Sequence, residues 1–412
     1  MQRTYLSINL VDEGNTALPP EYIESFKFST SVFSAYPRAE IIYNDKEGRM
    51  MALLLIKPGN FIQFVFQDID TQKVYEMTPL IVSGVESLDK DEGTGGGKTS
   101  SLGGQMKIHL IHPWEVYTDW SNQGFDQSIS DIVIDLAQRS KQGWSFSKIA
   151  VDGTDDSQGT IRYKLQESES EFIVNKLLPY ATVDSQAAYA FVNEKNEFHL
   201  HNFKALYGKE SRAVLVPRPE DLSQSPATAK ALAAFSGKKA PHFINDGHWA
   251  LGPDFKDQIR ALSVSIMVEE SKANVTFKGD LAYVTPIPGY TLIKKDYITS
   301  LVATSAVGIP HRLLEDAVRL VINHVGILNT FLTVTVTTTL ILDVAMVGET
   351  IDLLLASTPE EPHHWMNGKW VIGQAEHFAA ESQYFTQMLL MKPVIDAPSA
   401  ALAKVLFKSE NA

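Results

Sequence analysis

GKWVIGQAEHFAAESQYFTQMLLMKP, residues 368–393, reads as a strand, a short polar tip at Ala379–Ser382, and a second alternating strand ending at Lys392-Pro393. The same form occurs near the other end of the chain. There, residues 78–88 (TPLIVSGVESL) and 103–113 (GGQMKIHLIHP) are two strand-like runs, the second again ending in X-Pro. Each pair is preceded by a strand, an X-Gly turn and an alternating strand, LLLIKPGNFIQFVF at 53–66 and LILDVAMVGETIDLLL at 340–355. In the first, Phe61, Gln63 and Val65 face one way, and Ile62, Phe64 and Phe66 the other. Similarity in the same order predicts two copies of one β-domain.

The period changes between the copies. In residues 128–143 (SISDIVIDLAQRSKQG), Ile129, Ile132, Val133 and Leu136 fall at helical spacing, with Ser128 as N-cap and Gly143 as stop. A second helix starts at a Ser168/Glu171 capping box and ends at Pro179, and a hairpin follows around Asn193–Asn196. The fold class expected is α+β, mainly β. Its segments are a β-domain over 1–117, a small α/β domain over 118–205, a connecting region over 206–255, a second β-domain over 256–396, and a tail over 397–412. One short helix is expected near Ala229–Ala234, and another over 311–325 within the second β-domain.

The chain has 412 residues, no cysteine and a formal net charge of −13. Disulfides, thiolate metal sites and cysteine nucleophiles are excluded. Each of the segments 1–117, 118–205 and 256–396 carries a net charge of −5. That balance argues against gripping nucleic acid, whose affinity comes largely from Lys and Arg neutralising phosphates, but not against letting it slide past. No secretion signal is expected from MQRTYLSINLVDEG, which lacks a basic region followed by an apolar one. The uncharged window 325–342 alternates, carries repeated threonine and ends at Asp343, so it reads as a pair of strands or a helix running into a strand and not as a membrane span.

DKDEGTGGGKTSSLGGQ, residues 89–105, imitates a phosphate-binding loop. Glu92 stands where that loop needs glycine, and a strand follows where it needs a helix. The run is a long insertion at a strand-to-strand tip. Asp152, Asp155 and Asp156 miss the calcium-loop spacing, with Tyr163 at the bidentate position, and read as a solvated turn. His199 and His201 share a strand face, but no third zinc ligand is placed by the sequence. Acids at Glu167, Glu169 and Glu171 are accounted for by a helix start.

Residues 163–181 (YKLQESESEFIVNKLLPYA), the hairpin after them and the two C-terminal stretches together resemble the hub proteins of phage tail baseplates and the N-terminal part of VgrG spikes. The positions carrying the resemblance are Glu167, Ser168, Phe172, Ile173 and Leu177, then Gly348, Ile351 and Leu353. They continue through Gly368, Trp370, Ile372 and His377 to Tyr384 and Thr386. Lys176, Val347 and Pro179-Tyr180 depart from the family pattern. The resemblance implies two tail-tube-like antiparallel β-barrels per chain, so that a homotrimer presents six barrels to a sixfold tube. It implies a virion structural protein of the tail baseplate, assembled in the host cytoplasm, without catalysis, cofactor or metal. The partners implied are the tail tube or distal tail protein, a separate central spike protein and baseplate wedge proteins. The resemblance further implies a central channel through which DNA passes during ejection without specific binding.

Candidate subunit contacts are Gly95, Gly96 and Lys98 of the glycine-rich tip, and Leu332, Val334, Val336 and Thr338 of one alternating strand. A loop without a role accounts equally for the first set, and a buried strand of a single barrel for the second. Leu402, Val405 and Leu406 of the tail form a candidate spike contact, with a frayed terminus as the alternative. Two other function classes fit the residues. One is a tail-associated cell-wall or polysaccharide hydrolase using Asp155 or Glu169; the other is a carbohydrate-binding β-protein stacking sugars on Trp114, Trp120 and Trp365.

Overall fold

The computed structural model describes residues 4–11, 14, 16–45, 56–68, 72–88, 104–139, 144–156, 161–184, 186–217, 241–251, 273–274, 304–305, 331–339, 345–353, 368–380 and 383–393. The first β segment contains β1 (Thr4–Leu10), β2 (Thr16–Ala17), β3 (Ile23–Ser31), β4 (Arg38–Asp45), β5 (Phe61–Asp68), β6 (Val74–Glu76), β7 (Leu80–Ser87) and β8 (Gly104–Ile111). The middle unit holds α1 (Pro113–Val116), β9 (Gln123–Phe125), α2 (Ile129–Gln138), β10 (Lys148–Val151), β11 (Arg162–Lys164) and α3 (Glu169–Phe172). It continues through β12 (Thr182–Val183), β13 (Gln186–Val192), β14 (Glu197–Asn202) and α4 (Phe203–Gly208). The remainder supplies β15 (Val214–Pro217), β16 (Pro241–Leu251), β17 (Ala273–Asn274), β18 (Thr304–Ser305), β19 (Phe331–Thr339), β20 (Thr350–Leu353), β21 (Gly368–Ala380) and β22 (Gln383–Pro393).

Fourteen strands form one sheet, ordered β2-β1-β5-β7-β8-β4-β3-β21-β20-β15-β16-β19-β22 with β6 on β5. The duplication is visible in that order. Numbering six main strands of each lobe along the chain, both lobes run 1-4-5-6-3-2: β1-β5-β7-β8-β4-β3 and β15-β20-β21-β22-β19-β16. In the second lobe β21 also pairs with β22 and β15 with β16, so each of the six has a paired neighbour on both sides. Among the described residues no pairing joins β1 to β3 in the first lobe. Instead β3 pairs antiparallel with the far half of β21, Gln374↔Ser31 through Phe378↔Lys27. Among the described residues this pairing joins the two β segments, expected as two barrels, into one continuous sheet. Internal hydrogen bonding favours this, because it leaves neither β3 nor the far half of β21 with an open edge.

The lobes also share a local device. In the first, the Gly59 N–H donates to the Val82 carbonyl and the Val82 N–H to that of Asn60, both at 2.9 Å. In the second, Gly348 N–H donates to Ile372 and Ile372 N–H to Glu349, both at 2.8 Å. Each lock lies beside a bulge, between Val82 and Gly84 and between Ile372 and Gln374. Both turn glycines have positive φ, +96° and +77°, a region that side chains disfavour.

Alternation fills the cores. Ile62, Phe64 and Phe66 on β5 are fully buried and pack with Ile8, Phe26, Phe28, Ile41 and Ile108. In the second lobe Val334, Val336, Ile351, Trp370, Ile372, Met388 and Leu390 do the same. The middle unit centres on a sheet ordered β10-β14-β13-β12, covered by α2, whose Ile129, Ile132, Val133 and Leu136 are buried as their spacing predicts. The Ser168/Glu171 capping box forms, with N–H donations of 2.9 and 3.0 Å. The helix then passes through a wider turn at Ile173–Leu177 and a tight one at Leu178–Tyr180, where Pro179 ends it.

Two expectations change. Residues 214–217 and 241–251, inside the stretch read as a connection, are β15 and β16 of the second lobe, paired with β20 and β19. Asp156, read as part of a solvated turn, is buried and accepts the Ile129 N–H at 2.7 Å, placing a carboxylate at the start of α2. The expected helices at 229–234 and 311–325 lie outside the described residues.

Candidate functional site

The three units meet at the tip of the β13–β14 hairpin. Val32, Tyr189, Phe191, Phe203, Leu206, Val347, Val371 and Met391 form a separate buried cluster drawn from all three. Glu194, four per cent exposed, sits in the tip beside it. Its carboxylate accepts from the Thr30 hydroxyl of the first lobe and from the Val347 N–H of the second at 3.2 and 3.3 Å. Its backbone carbonyl accepts from the Thr78 N–H at 2.8 Å. Burial pushes the Glu194 carboxyl up to about 7, the donated hydrogen bonds opposing the rise. One residue of the middle unit thus holds both lobes.

Beside this junction a cavity of about 660 Å³ opens between the middle unit and the start of the second lobe. Its floor is a chain of polar contacts on one face of β14. His199 Nδ1 lies 3.2 Å from His201 Nε2, and His201 Nδ1 lies 2.9 Å from an Asp152 oxygen. His199 is held near 4 by burial, His201 and Lys209, against the opposing pull of Glu197. The opposite wall is Glu349, bound by Lys209 at 3.0 Å and Arg212 at 2.5 Å. These cations hold the Glu349 carboxyl below its ordinary value although burial acts the other way. Ser211 also lines the cavity and donates its hydroxyl to Asp352 at 2.8 Å. Among the described residues no group of three or more His, Asp or Glu side chains is arranged to hold a metal. The arrangement fixes one unit against another by paired charges.

The C-terminal hairpin performs a similar task between lobes. His377 is fully buried at the β3–β21 seam, its Nδ1 3.0 Å from the Thr386 hydroxyl. Tyr384 packs onto the first-lobe core, 6.0 Å from the Phe26 ring. Across the seam Lys27 pairs with Glu376 at 2.9 Å.

Other sequence candidates fall as follows. Val334, Val336 and Thr338 are fully buried, and β19 is paired on both sides, with β16 and β22. They are core, the alternative already raised by their alternation; Leu332 lies on the same strand, and the outward positions are Thr333, Thr335 and Thr337. Glu169, a candidate acid, is buried and accepts the Trp114 indole N–H at 2.9 Å. Trp114, a candidate sugar platform, is one per cent exposed against Phe146 and Phe198, because its indole completes the middle core. Asp155 and Trp120 are exposed. Gly95, Gly96, Lys98, Trp365, Leu402, Val405 and Leu406 lie outside the described residues. No helix among the described residues is long and apolar enough to cross a membrane. Glu194 was missed: a glutamate in a hairpin turn reads as solvated, and only the tertiary arrangement buries it.

No protein-family model matches the chain, and no curated protein is similar to it in sequence. Solved structures do share its fold. A tail protein from Neisseria meningitidis MC58 superposes with a TM-score of 0.50 at 9% identity, covering 94% of this chain and 96% of that one. The 43 kDa tail protein of prophage MuSo2 from Shewanella oneidensis gives 0.50 at 8% identity, covering 95% and 97%. The E. coli c3393 protein, a type VI secretion component described as similar to the T4 tail proteins gp27 and gp5, superposes less well, with a TM-score of 0.46 at 9% identity over 96% of this chain and 77% of that one.

Proposed function

We propose that the chain is a structural hub protein of a phage tail baseplate, acting as a homotrimeric adaptor between a sixfold tail tube and a threefold central spike. The observation that carries this reading is the repeated strand order with its matched glycine lock. Two similar lobes per chain give six similar lobes in a trimer, which is how a threefold protein meets a sixfold one. The fold shared over nearly the full length of two tail proteins supports the same role. The junction fits it as well: Glu194, the apolar cluster and the paired charges of the cavity keep the lobes at a fixed relation, and an adaptor needs that rigidity more than it needs chemistry.

In this role the ring lines a channel for DNA, and an acidic chain keeps that path free of tight binding. Its neighbours are a tube or distal tail protein, a spike protein and baseplate wedge proteins, in a virion assembled in the host cytoplasm. The glycine-rich tip with Gly95, Gly96 and Lys98 is assigned to a neighbouring subunit, and Leu402, Val405 and Leu406 to the spike. Light scattering across a dilution series tests the assembly. A persistent mass of three chains is expected; a monomer at every concentration contradicts it.

A further inference from the structure

The middle unit carries a surface that neither the junction nor the proposed ring accounts for. β9 and β11 form an antiparallel two-stranded ribbon, Arg162↔Phe125 through Lys164↔Gln123, and no other strand among the described residues pairs with it. Exposure alternates along the second strand. Ile161, Tyr163 and Leu165 are 54, 60 and 62% exposed, while Lys164 between them is fully buried. Residues i, i+2 and i+4 of a strand share one face, so these three side chains form an outward apolar row.

Trp120, 58% exposed, lies at one end of the ribbon, between the Asp119 and Ser121 carbonyls that hold the Lys164 ammonium. Gly124, opposite Tyr163, leaves that ring uncovered: a Cβ there would stand 3.5 Å from the Tyr163 ring. The other face is anchored inward, with Phe125 buried and stacked on Phe172. Three large apolar side chains more than half exposed in one row, with Trp120 equally exposed on the segment that holds Lys164, exceed the scatter of single apolar residues on ordinary surfaces.

The charges around the row decide what covers it. Its cations are withdrawn: Lys164 is buried, and Arg162 lies over the Tyr180 ring at 5.0 Å. Its acids remain at the rim. Asp126 beyond β9 is exposed, Glu167 accepts the Leu165 N–H at 3.3 Å, and Asp119, half-buried beside Trp120, accepts from Ser121 and Gln123 within its own turn and adds its charge to the rim. We propose that this ribbon face docks a protein partner that presents an extended segment of alternating apolar and basic residues. The apolar side chains cover Tyr163, Leu165, Ile161 and Trp120, and the basic ones meet Asp119, Asp126 and Glu167. A second copy of this chain is the competing occupant, and the light-scattering mass distinguishes it.

The test titrates the full-length chain with a synthetic peptide of about eight residues alternating lysine and valine, read by Trp120 fluorescence against a Trp120→Phe control. The same titration is run with a glutamate–valine peptide, and with a Tyr163→Ser/Leu165→Ser variant whose thermal melt matches the parent. The expected result is saturable binding of the basic peptide that weakens as salt rises. Binding should be at least about tenfold weaker for the acidic peptide and for the double variant. No binding, equal binding of both peptides, or unchanged affinity in the double variant overturns the proposal. So does a light-scattering mass that falls in the double variant, which would make a second copy the occupant. Loss of peptide binding with an unchanged trimer mass separates this surface from the ring reading.

Discussion

Replacing Glu194 by Gln should change the pH dependence of stability in a defined direction. The carboxyl is buried where the three units meet, and its value rises from 4.5 to about 7. An unfolded chain loses this proton near 4.5, whereas the native chain keeps it until about 7. Between those limits the native state binds more protons, so stability falls as pH rises. The full rise corresponds to about 3 kcal/mol. Other buried groups titrate in the same range, His199 among them, so the informative quantity is the difference between wild type and Glu194→Gln. Urea unfolding followed by tryptophan fluorescence, at intervals from about pH 4 to pH 8, supplies it. The wild type should lose about 3 kcal/mol relative to the variant across that range, with the change centred between 4.5 and 7. A flat difference curve would refute the reasoning, since it would mean that the native carboxylate ionises as it does in water.

The two turn glycines predict unequal costs. Gly348→Ala places a Cβ 2.4 Å from the Phe191 ring at φ +77°, and should destabilise by about 3 kcal/mol in urea titrations. Gly59→Ala, at φ +96° with open space around it, should cost only about 1 kcal/mol. His112 is stacked between Tyr36 and Phe146, and burial pulls it down to about 3. Its neutral form therefore stabilises the fold above 6.5, and that contribution is lost as pH falls from 6.5 towards 3; a His112→Gln variant should show a shallower acid limb in the same titration. Ser168→Ala removes the cap of α3 and should lower stability by about 1 kcal/mol, readable as a shift in the urea midpoint.

Much of this architecture was legible because it rests on local periodicity. Alternation at 61–66, the capping box at Ser168 and the X-Gly turns identified strands, helix and repeat without tertiary information. What escaped was long-range. Pairing of β3 with β21 joins residues near 28 to residues near 377, and nothing in either strand's own pattern specifies the other as partner. Within 206–255, β15 is only four residues long and takes its meaning from parallel partners, and the longer β16 breaks its alternation with Asn245, Asp246 and Gly247. Val334 and Val336 carried the right alternation, but alternation cannot say whether the apolar face meets a core or another subunit. His377 and Tyr384, noted as motif positions, serve the seam between lobes; their signal was a resemblance, and their role needed the structure.

Electron microscopy of the purified assembly in end view tests the central claim most directly. The account predicts a threefold ring in which six similar lobes surround an open channel. Particles holding a single chain, or a ring whose end view lacks the six-lobed repeat, would contradict it.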